Sequence, residues 1–85
     1  MRVLVKDSVY KDLSGLEKDR KRQRALLDAA IQGISEQHSS AIKKLKGGLK
    51  NYYRLELGNI RVIYYRRGDE AIIVRIGNRK DVYKE

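Results

Sequence analysis

The sequence has no cysteine, no phenylalanine and no tryptophan, and a single histidine, His38. Without cysteine there is neither a disulfide framework nor a thiolate metal site, and one histidine cannot build a zinc site by itself. No apolar run approaches the roughly 20 residues of a membrane-spanning helix. The apolar part of the N-terminal MRVLVKDS is too short for a signal peptide. These absences lead to the expectation of a soluble, cytoplasmic protein with no membrane association, no metal and no cofactor. At 85 residues the chain is expected to form a single domain, residues 1–85, around one modest core.

Acids are also scarce, and unevenly so. The net charge is +9, from 20 Lys and Arg against 11 Asp and Glu. Residues 6–37 carry seven bases and six acids, the near-balance of solvated helix faces. Residues 43–67 carry Lys43, Lys44, Lys46, Lys50, Arg54, Arg61, Arg66 and Arg67 against Glu56 alone. Charge concentrated in this way is the footprint of a nucleic-acid partner. A membrane surface or an acidic protein would be drawn to the same charge.

From Tyr52 to Tyr83 three β-branched runs alternate with glycine-containing turns, the pattern of an antiparallel meander. If Tyr53, Leu55 and Leu57 face a core, alternation sends Tyr52, Arg54 and Glu56 to the other face. Ile60, Val62 and Tyr64 would point inward in the next strand, leaving Arg61, Ile63 and Tyr65 outward. In the third, Ile72, Val74 and Ile76 are predicted inward and Arg75 outward. Arg54, Arg61 and Arg75 then share one face, bordered by Arg79 and Tyr83. A solvated sheet face also carries single arginines, but three on neighbouring strands repel unless acids intervene. Tyr52 and Tyr65 on that face are able to stack on unpaired bases, or are simply amphipathic strand residues. Lys43, Lys44, Lys46 and Lys50 add the phosphate-attracting charge. The whole reading requires the guanidinium groups to converge on one wall, not pinned by local carboxylates, opposite the wall that the helices seal.

Taken in order, RVLVK at residues 2–6 reads as a first strand, and Ser8 as the N-cap of a short helix with Val9, Leu13 and Leu16 on its apolar side. A second helix runs from Glu17 to about Gln37, roughly 30 Å, with Leu26, Leu27, Ala30, Ile31 and Ile34 as its stripe. Gly33 within it implies close packing on a neighbour. Arg20, Lys21, Arg22 and Arg24 there either touch a nucleic-acid backbone or form a solvated face with Glu17 and Asp19. Ser39 and Ser40 are predicted to cap one more helical turn, AIKKL. KGGLK follows as a basic hinge, whose Gly47 and Gly48 permit positive dihedrals or close approach to phosphate. The Gly58-Asn59 pair marks a two-residue hairpin; Arg67, Gly68 and Asp69 mark a looser one. The fold class is therefore α+β, two-layer, in the order β-α-α-β-β-β, with two helices on one face of the antiparallel meander.

The run from Leu45 to Tyr83 resembles the RelE/ParE superfamily of toxins from type II toxin–antitoxin systems. The likeness rests on a basic glycine-containing lead-in, on Tyr53-Arg54-Leu55, on Ile60-Arg61-Val62-Ile63-Tyr64, and on Val74-Arg75-Ile76-Gly77-Asn78-Arg79-Lys80-Asp81-Val82-Tyr83. It implies a RelE-like fold and a toxin neutralised by a cognate acidic, RelB-like antitoxin, in an assembly such as a heterotetramer. One branch of the superfamily cuts messenger RNA in the ribosome; the other inhibits DNA gyrase without nuclease activity. A non-catalytic nucleic-acid-binding module is a third reading.

For the ribonuclease branch the resemblance implies metal-independent attack by the 2′-hydroxyl, supported by basic side chains and a tyrosine. By position Arg54 and Arg61 match basic sites, Arg79 a phosphate-stabilising arginine, and Tyr83 the C-terminal tyrosine. Arg61 and Arg79 are the first candidates for clamps on the scissile phosphate. Two departures stand out. Glu56 lies where the ribonuclease pattern has a second lysine, making it either a carboxylate base or a surface residue. Asn78 stands where many relatives carry histidine.

Overall fold

The computed structural model describes residues 1–37 and 40–78. Its elements are β1 (Arg2–Val5), α1 (Ser8–Leu16), α2 (Arg20–Ser35), β2 (Ile42–Lys44), β3 (Tyr52–Leu57), β4 (Ile60–Arg67) and β5 (Glu70–Asn78). The five strands form one sheet in the order β1-β5-β4-β3-β2. β3, β4 and β5 are the antiparallel meander, and β1 joins its edge parallel to β5. The fold is α+β, two helices on a mixed sheet.

The helices begin and end close to where sequence places them, with different caps. Asp7, not Ser8, precedes α1, and its side chain makes no capping bond. Asp19 caps α2 properly: its carboxylate accepts the Lys21 N–H at 3.0 Å, so α2 starts at Arg20 and not at Glu17. Val9 and Leu13 of α1 and Leu27, Ala30 and Ile34 of α2 are buried against Leu55, Val62, Tyr64, Ala71, Ile73 and Ile76 of the sheet. Gly33 packs so closely that a Cβ there would stand 2.9 Å from Leu55 Cδ2. This is the close approach that a glycine inside the helix implied.

Three further sequence expectations fail. The AIKKL turn is not helical: β2 pairs Ile42, Lys43 and Lys44 with Leu55, Arg54 and Tyr53. One isolated helical turn closes too few hydrogen bonds to sustain itself. The free edge of β3 offers a full set, with the Glu56 N–H donating to the Ala41 carbonyl at 2.9 Å. Second, the β4–β5 turn is not looser than the β3–β4 turn. Leu57 pairs with Ile60 and Arg67 with Glu70, each across two residues. Gly58 and Gly68 take the first central position at φ +60° and +58°, which the tight hairpin demands.

The third failure is in β5. Ile63 pairs with Arg75 but Tyr64 pairs with Ile73, so Val74 is an extra residue in a β-bulge. Ala71 and Ile73 therefore face the core, in place of the expected Ile72 and Val74. The bulge then resets alternation. Without it, Arg75 would follow Ile73 into the core and strand a guanidinium among apolar side chains. With it, Arg75 emerges beside Ile63, and Ile76 returns inward. Just past the bulge, where β1 has already ended, Asp12 of α1 accepts the Ile76 N–H at 3.1 Å. A backbone donor at the sheet edge is thereby satisfied by a helix.

Among the described residues no helix is long and apolar enough to cross a membrane.

Candidate nucleic-acid interface

Pairing register arranges the sheet face opposite the helices into three cross-strand rows. Glu56, Arg61 and Gly77 form the row nearest the β3–β4 turn; Lys43, Arg54, Ile63 and Arg75 form the middle; Tyr52, Tyr65 and Ile72 form the third. The three arginines named from sequence therefore share one face. The Tyr52 and Tyr65 rings meet edge to face, centroids 5.1 Å apart. Their sequence neighbours Tyr53 and Tyr64 stack on the opposite side at 5.6 Å. There, burial pushes the Tyr64 phenol above its usual pKa, against an opposing pull from Arg66 and with a smaller push from Tyr53.

Proximity is not the same as availability. Arg54 Nη2 lies 2.9 Å from Glu56 Oε2, and Arg61 Nη2 lies 3.8 Å from Glu56 Oε1. Arg61 also donates from Nη1 to the carbonyls of Gly58 at 3.0 Å and Ile60 at 3.5 Å. It is only 7% exposed. Burying a guanidinium costs several kcal/mol unless its donors are met. Here the hairpin carbonyls accept from Nη1 and the shared carboxylate stands 3.8 Å from Nη2, while Nε is buried with no hydrogen-bond partner among the described residues. The requirement that no carboxylate pin the arginine wall thus fails for Arg54 and Arg61. In this state Arg61 braces the β3–β4 turn instead of presenting an open fork.

Beside the middle row lies a groove of about 820 Å³. One wall is the sheet, with Arg54, Ile63, Val74 and Arg75; the other is the segment 45–51, which supplies Leu45, Lys46 and Leu49. That segment is a flap. Its roots are fastened by the Leu45 N–H to the Tyr52 carbonyl at 3.0 Å and the Tyr52 N–H to the Leu49 carbonyl at 3.1 Å. Between them Gly47 and Gly48 turn the chain at φ +74° and +83°. Among the described residues no acid lines the groove, and Lys43, Lys44 and Lys46 border it. Lys44 pairs with Tyr53 and so belongs by register to the helix side, yet it reaches the rim. Lys50 is exposed on the flap outside the lining, and Tyr65 enters only through its contact with Tyr52.

Other sequence candidates separate from this site. Arg22 sits 3.8 Å from both Glu17 and Asp19, and Arg24 3.7 Å from Asp28, a self-neutralised helix surface. Asn78 is the exposed last residue of β5. Arg79, Tyr83 and His38 lie outside the described residues. Among those described, no group of three His, Cys, Asp or Glu side chains is placed to hold a metal ion.

Sequence reasoning missed the apolar floor of the groove. Ile63 was placed on this face by alternation but given no role, and Val74 was assigned to the core because a bulge has no reliable sequence mark. Leu45 and Leu49 carried the one available signal, flanking a paired glycine between lysines.

The family model for the ParE toxin of type II toxin–antitoxin systems matches residues 3–83. Among known proteins, toxin RelE3 of Methanocaldococcus jannaschii is 34% identical over 85 residues, covering 98% of this chain and 96% of that one. Among solved structures, a chain of the RelB–RelE antitoxin–toxin complex from Methanococcus jannaschii aligns with a TM-score of 0.64 at 32% identity, over 94% of each chain. A chain of the RelBE2 toxin–antitoxin complex from Mycobacterium tuberculosis aligns with a TM-score of 0.73, covering 91% of this chain and 95% of that one. At 19% identity this second likeness speaks for the fold alone.

Proposed function

The chain belongs to the ParE toxin family of type II toxin–antitoxin systems, within the RelE/ParE superfamily, and from that premise we propose that it is a ribosome-dependent endoribonuclease that cuts messenger RNA and stops translation. The observation that carries this reading is the lysine-rimmed groove, lined by no acid among the described residues, lying against the arginine row. Phosphodiester cleavage without a metal needs the 2′-oxygen aligned with phosphorus, a base for its proton, cations on the phosphate and an acid for the leaving 5′-oxygen.

Glu56 and Arg54 supply the first half of that chemistry by exchanging partners. A phosphate oxygen can take the Arg54 Nη2 that Glu56 Oε2 now holds. When the scissile phosphate takes the Arg54 donors, the released carboxylate accepts the 2′-hydroxyl proton. The 2′-oxygen then bonds to phosphorus, and the bond from phosphorus to the 5′-oxygen breaks to leave a cyclic phosphate. Arg61 holds the turn that carries Glu56. Arg79 and Tyr83 are assigned by family likeness to the second half, charge stabilisation on the phosphate and the proton for the 5′-oxygen.

A cognate acidic antitoxin suits a chain of net charge +9, and the RelB–RelE and RelBE2 relatives were solved as complexes with theirs. A toxin–antitoxin heterotetramer is the corresponding assembly, and a ribosomal target places the chain in the cytoplasm. One observation favours the gyrase-inhibiting reading instead: Glu56 holds both Arg54 and Arg61. Primer extension on transcripts after induced expression separates the two. The ribonuclease reading expects cuts inside codons of translated regions. Intact transcripts during growth arrest, with supercoiling blocked, overturn it in favour of gyrase.

A further inference from the structure

We infer that the groove between the flap and the sheet is a slot for one unpaired nucleobase of the RNA strand, so that this toxin holds its substrate by a base as well as by phosphates. The inference rests on the ribonucleic-acid reading of the same face and adds to it a ligand subsite.

The solvent side of a half-buried sheet is ordinarily polar along its centre. Here the middle row has an apolar centre: Ile63, between Arg54 and Arg75, is only 8% exposed although it points away from the main core. The bulge adds Val74 to the same floor. From the opposite wall the flap contributes Leu49, one of the few large apolar side chains left exposed, at 40%. Two apolar surfaces thus face each other across a groove whose size is within the range of clefts that take small molecules, roughly 300–1,000 Å³. Its rim carries Lys43, Lys44 and Lys46.

A ligand matching this arrangement has an apolar planar body and an anionic tail. A nucleotide is such a ligand. Its ring faces pack between Leu49 and the floor of Ile63 and Val74, and its phosphates reach Lys43, Lys46 and the arginines. Tyr52, braced edge to face by Tyr65, closes one end with an aromatic wall. The flap roots are fixed while Gly47 and Gly48 shape its tip, so the slot is preformed on both sides.

The test is equilibrium binding, by fluorescence anisotropy at low salt, of short single-stranded 2′-O-methyl oligoribonucleotides that cannot be cleaved. One series is intact; in the other a single base is absent at each position in turn, with sugar and phosphate retained. The expected result is about a tenfold loss of affinity when one particular base is missing, toward the low end of what a base stacked on an aromatic ring is worth, because the faces here are aliphatic. Val74→Phe, which fills the floor, should abolish that difference. Leu49→Ala, an exposed flap position with little risk to folding, should reduce it several-fold. Equal affinity for intact and base-lacking strands overturns the slot while leaving phosphate binding and the ribonuclease reading in place. Failure to bind either strand also overturns the slot, and leaves the ribonuclease reading to stand or fall on primer extension. If Val74→Phe instead blocks a synthetic amphipathic Leu/Glu peptide and leaves RNA binding unaltered, the groove is an antitoxin site and the slot is again overturned.

Discussion

The two faces of the sheet are built from the same strands and obey different rules. On the helix side, Leu55, Val62, Ile73 and Ile76 are each at most 2% exposed, and the polar groups nearby are paired in simple ways. On the other side a nearly buried arginine shares one carboxylate with a second arginine, apolar residues line an open groove, and a flap stands over it. The first face is a solved packing problem. The second holds charge and apolar surface in an arrangement that packing alone does not require, as expected where a site is built on a rigid scaffold.

The sharpest way to test this division is to truncate on each side. Leu55→Ala removes a fully buried side chain that also fills the space over Gly33, and should cost about 3 kcal/mol. For a domain this small that is a large share of total stability. Thermal denaturation followed by circular dichroism reads it directly; a loss below about 1 kcal/mol would mean the helix side is not the structural face. Arg61 crosses the division. Arg61→Ala strips two turn carbonyls of a donor and the largely buried Glu56 of a counter-charge, for an expected loss of about 2 kcal/mol in urea denaturation. Arg54→Ala should cost less, because the turn carbonyls keep their Arg61 donor. The opposite order would return Arg61 to the role of an open phosphate clamp.

Sequence carried the helix face and the strand pairing almost completely, because period-2 alternation and two glycine turns determine them locally. It carried Arg54 and Arg61 for the same reason, whereas Arg75 reaches the expected face only because of the bulge. It did not carry β2, where pairing with a distant strand edge outweighs the local preference of AIKKL. Nor did it carry the bulge at Val74, which exists to keep Arg75 out of the core and has no signature of its own. Glu56 was visible as the lone acid among bases; it grips Arg54 two residues away on its own strand and Arg61 directly opposite on the next. The sequence order Arg54, Glu56, Arg61 does not say whether the carboxylate points along the face or into solvent. The roles of Arg79 and Tyr83 rest on family likeness, since both lie outside the described residues.

The smallest expected effect separates the faces by pH. Burial on the helix side raises the Tyr64 phenol above its ordinary pKa, which is about 10 in an unfolded chain. As pH climbs past that value the unfolded chain releases the Tyr64 proton before the folded one does. The folded state then binds more protons than the unfolded state, so stability falls with rising pH from about pH 10 until the folded group titrates too. Lysines titrate in the same window, so the informative quantity is the difference between the parent chain and Tyr64→Phe. In urea denaturation the variant should lose stability less steeply above pH 10, while the two run parallel below pH 9. Parallel curves throughout would mean that the ring's hydroxyl reaches water, and that the helix side is less sealed than its packing indicates.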